Sequence, residues 1–150
     1  MSNQQHGIMG HGYEGRSIEE YVADLVAWGT SVLVDVRLNP ISRKKGFSKK
    51  ALAAAVEEAG IRYVHRPQLG NPKDNREGFG VPGTPAAREA HARYREILAG
   101  ESAASAVDEL AATAANELVV LMCFEASERC CHRSLVLDRV KARQVQLQPV

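Results

Sequence analysis

The eight residues Leu118-Val119-Val120-Leu121-Met122-Cys123-Phe124-Glu125 constrain the fold more than any other stretch. They are a continuous apolar run that ends in a thiol and a carboxylate. Such a run, without polar alternation, suits a strand covered on both faces, as in parallel sheets flanked by helices. After a short polar loop come Cys130-Cys131-His132-Arg133, and then Ser134-Leu135-Val136-Leu137-Asp138-Arg139-Val140 with helical spacing. Reactive groups therefore gather where a strand gives way to a helix. In open α/β folds that is the rim where ligands bind.

The rest of the chain alternates in the same sense. His6 to Gly12 reads as a short glycine-flanked strand, after a polar tail at 1–5. Ser17 and Glu20 form a capping-box signature ahead of Ile18, Tyr21, Val22, Leu25 and Val26, and Gly29 ends that helix. Ser31 to Val36 is a β-branched strand closed by Asp35 and Arg37. Ser48 opens a helix through Ala59, with Gly60 after it, and Ile61 to His65 is the next strand. A long loop rich in Gly, Pro and Asn covers 66–84, a length typical of a lid or binding loop. Pro85 starts a helix to about Ala99, and a second covers 101–115. Val145-Gln146-Leu147 reads as a terminal strand. The pattern predicts an α/β fold: one three-layer, Rossmann-like domain over 1–150, with a mostly parallel sheet of about five strands and helices on both faces.

Right-handed crossovers then bring all strand carboxyl ends to one rim. The polar groups that follow each strand are His11; Asp35 and Arg37; His65 and Arg66; and Cys123 with Glu125. Four such clusters at equivalent places predict a site. Ser42-Arg43-Lys44-Lys45 adds cations suited to phosphate, sulfate or carboxylate, or simply a solvated loop. Cys131 precedes His132 and Arg133 at a helix start, where the dipole and cations lower a thiol pKa, so it is the expected reactive thiol. Cys123, at the end of a buried strand, is expected to be mainly structural and protonated.

All three cysteines fall within nine residues. That excludes an extracellular disulfide framework and points to a reducing cytoplasm. Cys123, Cys130, Cys131 and His132, with His65 or His11, include metal-ligand types, but no spacing matches a zinc ribbon or finger, and no metal is expected. Cys123 to Arg129 spells C-x5-R, the spacing of an oxyanion-cradling loop. Such loops need exposed backbone N–H groups and glycine, whereas this one has no glycine and two glutamates. A net charge of +1 argues against a general polyanion binder while leaving room for a local basic patch. No run is long enough to span a bilayer, and the start lacks the apolar core of a signal peptide.

Taken together, the motifs resemble the uncharacterised bacterial and archaeal family called domain of unknown function 488. The resemblance rests on Gly10-His11-Gly12; Asp35-Val36-Arg37-Leu38-Asn39-Pro40-Ile41-Ser42-Arg43; Gly46-Phe47; Gly60-Ile61-Arg62-Tyr63; Leu69-Gly70; Leu121-Met122-Cys123-Phe124-Glu125; and Cys131-His132-Arg133. These span nearly the whole chain in the family's order. Gly12 stands where the family usually has Ser, and Cys130 is additional. The resemblance implies a compact α/β fold and brings no reaction. It gives weight to His11, Asp35, Arg37, Ser42, Arg43, Cys123, Glu125, Cys131, His132 and Arg133.

The leading expectation is an enzyme or enzyme-like domain for a small anionic or nucleotide-like substrate. Arg37, Ser42, Arg43 and Arg133 would hold the anion. His11, Asp35, Glu125, Cys131 and His132 would supply the chemistry. The second expectation is a non-catalytic module that binds nucleic acid or another ligand through Arg43, Lys44, Lys45, Lys49 and Arg66. A third is thiol redox sensing by Cys123 with Cys131. His11, Asp35, Arg37, Glu125 and Arg133 are predicted to line one cleft.

Overall fold

The structure, a computed structural model, describes residues 6–125 and 132–147. The 1–5 tail, Cys130, Cys131 and Arg129 of the C-x5-R spacing lie outside the described residues. The elements run β1 (Gly7–Gly12), α1 (Ile18–Ala27), β2 (Val32–Asp35), α2 (Lys49–Glu58), β3 (Arg62–His65), α3 (Pro85–Ala99), α4 (Glu101–Ala114), β4 (Leu118–Cys123) and α5 (Arg133–Leu147). The strands form one sheet in the order β1-β4-β2-β3, and all three pairings are parallel.

The apolar run is the central strand β4, with every residue buried. Its side chains alternate between two cores, as strand geometry requires. Val119, Leu121 and Cys123 enter the core that includes residues of α3, α4 and α5. Leu118, Val120 and Met122 enter the core that includes residues of α1 and α2. The sheet is thus the middle of three layers.

Local signals act where the sequence places them. Ser17 Oγ accepts from the Glu20 N–H, and Glu20 Oε1 accepts from the Ser17 N–H at 2.9 Å, which closes the capping box of α1. Thr84 caps α3 ahead of Pro85. Ser48 precedes α2, yet its hydroxyl does not cap it and bonds Ser42 instead.

One element differs from expectation. Among the described residues the sheet has four strands rather than five, because the chain through 145–147 continues α5. No glycine or proline interrupts 133–148. Arg143 Nε, 2.8 Å from Asp108 Oδ1, and Gln144 Nε2, 3.5 Å from Ala111 O, tie that end of the helix along α4.

The exits from the strands place the site. Chain leaving β1 and β2 turns toward the α1–α2 layer. The helices that follow β3 and β4, α3 and α5, lie in the opposite layer. Each pair of neighbouring strands therefore diverges at its carboxyl ends, the arrangement that opens crevices in α/β sheets. The 66–84 loop folds over this rim as three 3-10 turns, Pro67–Leu69, Lys73–Asn75 and Glu77–Gly80. Among the described residues, no helix is long and apolar enough to cross a membrane.

Candidate functional site

A cavity of about 120 Å³ opens at the carboxyl rim. Every strand exit contributes to its wall. Tyr13 follows β1; Arg37, Leu38, Asn39 and Ile41 follow β2; Asn71, Arg76 and Phe79 come from the loop after β3. Cys123 ends β4 and is followed by Phe124 and Glu125, and His132 precedes α5.

Its floor is a buried ion pair. Asp35 and Arg37 share strand parity and lie two residues apart, so their side chains meet on one face. Asp35 Oδ1 accepts from the Arg37 backbone N–H at 3.0 Å and from Nε at 2.9 Å; Oδ2 accepts from Nη2 at 2.7 Å. Tyr63 donates its hydroxyl to Oδ2 at 2.5 Å. Arg37 Nη1 donates to Phe47 O at 2.6 Å and meets Tyr13 Oη at 3.4 Å. Asp35 is fully buried and Arg37 nearly so. Burial alone disfavours the Arg37 cation, but the hydrogen bonds and charge of Asp35 outweigh it and raise the arginine's pKa. Burial, then the Asp35 hydrogen bond and charge, raises the Tyr63 pKa, so its hydroxyl stays protonated and donates. Asp35 is therefore beneath the cavity as a positioning residue, and Arg37 reaches the wall with most of its donors engaged.

Two histidines fix the turn that leaves β2. His132 Nε2 is 3.1 Å from Val36 O, and His65 Nε2 is 2.7 Å from Arg37 O. A carbonyl only accepts, so each ring carries its proton on Nε2. Burial pulls His132 down to about 4; the bond to Val36 O opposes this, and Arg76 and Arg133 add to it. His132 is neutral at pH 7, with Nδ1 as its lone-pair nitrogen.

Arg76 is the most consequential residue that sequence reasoning missed. It sits in the loop with no periodicity to mark it. Asn71 and Asn75, both buried, bond each other at 2.9 Å, and Asn75 Nδ2 also reaches Ala90 O of α3 at 3.0 Å. Tyr94 donates to Leu69 O. The loop is thereby held on α3, and Arg76 Nε donates to Asn71 O at 3.1 Å. Its Nη1 and Nη2 make no hydrogen bond among the described residues, and the residue is exposed on the cavity wall. Asn39 enters only within the family motif, without a site role, and Tyr13, Asn71 and Phe79 were missed as well. They carry no chemical motif, and only the long-range packing of strand exits brings them together.

The other expected site residues are placed as follows. Glu125 and His132 line the cavity with Arg37. His11 does not. It shares parity with Met9 and turns toward α1, where Nε2 lies 2.9 Å from Asp24 Oδ2 and the ring stacks on Tyr21 at 4.4 Å. Arg16 grips the same Asp24 at 2.7 and 3.0 Å. Burial lowers the His11 pKa; Asp24 opposes this, and Arg16 and Arg133 add to it. Ser42 and Arg43 lie outside the cavity wall: Ser42 pairs with Ser48, and Arg43 is exposed. Arg133, the first residue of α5, is fully buried and also outside the wall. The single cleft expected for His11, Asp35, Arg37, Glu125 and Arg133 therefore holds only Arg37 and Glu125 on its surface.

Cys123 also departs from expectation. It is disulfide-bonded rather than a protonated thiol. Glu125 Oε2 lies 3.6 Å from its Sγ, but a disulfide sulfur has no proton to donate, so this is a contact only. Among the described residues, no three His, Cys, Asp or Glu side chains come together as a metal-ligand group.

Parallel strands between helical layers, with a polar cavity at diverging carboxyl ends, define an α/β protein of the Rossmann-like class. Residues 17–140 match the family described as Domain of unknown function DUF488. The chain belongs to that family. Searches of curated proteins and of solved structures found no match.

Proposed function

We propose that the protein binds a small anionic molecule in the rim cavity and moves a proton on it. The observation that carries this reading is the convergence on one cavity of Arg37, Arg76, Glu125 and a neutral His132. Arg76 offers a guanidinium edge with open donors and is the anion-gripping residue. Asp35 fixes the orientation of Arg37 on the wall and offsets its charge, so the anion's grip falls to Arg76. Glu125, on the same wall, accepts a proton from a hydroxyl or amine elsewhere on the ligand. Asn39 and Asn71 supply hydrogen bonds that orient it. The cavity is well below the roughly 300–1,000 Å³ of pockets that bury drug-sized ligands, which favours a small molecule or one end of a larger one.

The test is isothermal titration of phosphate, pyrophosphate and small carboxylates at low ionic strength. Wild-type protein is expected to bind at least one of these. Arg76→Ala should weaken that binding by roughly 10- to 100-fold, the loss of charge-assisted hydrogen bonds of about 1.5–3 kcal/mol. Unchanged affinity in Arg76→Ala would remove the proposed role of this wall.

A further inference from the structure

Beside the cavity lies a concentration of charge that the cavity does not use. Residues 36–56 hold six cations, Arg37, Arg43, Lys44, Lys45, Lys49 and Lys50, and no acid, in a chain whose net charge is only +1. Asp35 neutralises Arg37. Lys44 lies over the Phe47 ring at 5.9 Å. Arg43, Lys45, Lys49 and Lys50 are exposed and make no side-chain hydrogen bond or ion pair among the described residues. In contrast, the exposed Arg62 pairs with Glu117, and Arg93 with Asp74. Two of these lysines stand in the first turn of α2, where the helix dipole disfavours cations.

The cations are held together by a closed loop. The Lys49 N–H donates to Pro40 O at 2.9 Å. The Ser42 N–H donates to Ser48 Oγ at 3.0 Å, and Ser48 Oγ returns a bond to Ser42 O at 3.1 Å. Lys44 N–H donates to Ser42 Oγ at 3.1 Å. The segment leading into this loop gives Leu38, Asn39 and Ile41 to the cavity wall. Two apolar groups face solvent at the mouth: Ile41, 80 % exposed, and Phe124, 47 % exposed. Phe124 is positioned by Tyr13, which meets it edge-on, and its carbonyl accepts from the Glu14 N–H at 2.8 Å.

We infer that this loop is a docking surface for the phosphate backbone of a single-stranded nucleic acid. Arg43, Lys45, Lys49 and Lys50 lie along the phosphates, and Phe124 receives the face of an unpaired base. A single strand fits better than a duplex, because a stacked base pair cannot offer its face to Phe124 and a small concave mouth admits only a strand end. That the end entering the cavity is anionic rests on the function proposed above; the docking surface rests on the loop alone.

The experiment is fluorescence anisotropy of short labelled oligo(dT) and oligo(rU) against the full chain over a series of salt concentrations. Four phosphate contacts predict a slope of log affinity against log salt of roughly −3. The triple variant Arg43→Glu, Lys45→Glu, Lys49→Glu should weaken binding at least about tenfold and flatten that slope by roughly 2. A control with Arg88→Glu, Arg95→Glu and Lys141→Glu changes net charge equally and should retain the steep slope. Four results would overturn the inference: no oligonucleotide binding at low salt, equal loss in the control, preference for duplex, or loop-dependent binding to phosphatidylserine vesicles without oligonucleotide binding. Phosphate titration separates the two proposals. If phosphate binds the cavity and oligonucleotides do not bind, the docking surface falls and the cavity reading stands. If oligonucleotides bind through the loop while phosphate finds no site, the reverse holds.

Discussion

Asp35 organises the site from beneath the cavity without lining it. Its carboxylate accepts four hydrogen bonds and fixes Arg37 and Tyr63 at once. Removing one partner of a buried pair leaves an uncompensated charge, which costs about 3–5 kcal/mol. Asp35→Ala is therefore expected to lose stability of that order in urea unfolding. The double variant Asp35→Leu, Arg37→Met should recover much of it, since well-packed apolar residues can replace a buried pair. A double variant as unstable as the single would show that the geometry, not the orphaned charge, sets the cost.

His132 makes a second prediction at this scale, and its sign follows from its pKa. The group sits at about 4 in the folded chain and near 6.5 when unfolded. Between those values the unfolded chain takes up a proton that the folded chain refuses. Stability therefore falls as pH drops from about 6.5 to about 4, by a contribution of order 3 kcal/mol. His132→Gln keeps an amide donor for Val36 O and cannot titrate. Its unfolding free energy should vary less with pH across that window than the wild type's. Parallel pH curves for the two proteins would contradict the assignment.

At the level of elements, the cavity depends on how closely the 66–84 loop meets the exit from β2. A Cβ at Gly70 would lie 2.7 Å from Leu38 Cα and 2.8 Å from Leu38 N, both backbone atoms that cannot step aside. Gly70→Ala is expected to cost roughly 1–3 kcal/mol through overpacking, and to weaken anion binding by displacing the loop that carries Arg76. A thermal melt and a phosphate titration check both halves. How far each element was legible follows from the range of the interactions that make it. The capping box of α1 needs only Ser17 and Glu20, and the apolar continuity of β4 is visible in six residues. The parity that brings Asp35 to Arg37 is equally local. His11 was misplaced because a polar residue at a strand end can turn to either side of the sheet. Its side belongs to α1, through Asp24, thirteen positions away. The 145–147 segment was misplaced because a short apolar run does not separate strand from helix, and contacts with α4 decide it. Arg76 was invisible for the same reason in stronger form: its place depends on an asparagine pair anchored to α3.

For the whole molecule, four parallel strands whose exits diverge at every neighbouring pair concentrate loops, charges and open donors at one rim. The central claim is that this rim cavity is where a small anion binds. The most direct measurement is a heteronuclear NMR titration of labelled protein with phosphate or pyrophosphate at low salt. The account predicts saturable shifts concentrated at Asn39, Asn71, Arg76 and Glu125, with the Arg76→Ala protein shifting little at the same residues. Shifts confined to the exposed cations of the 42–50 loop, scattered over the α3 and α5 surface, or linear without saturation would contradict it.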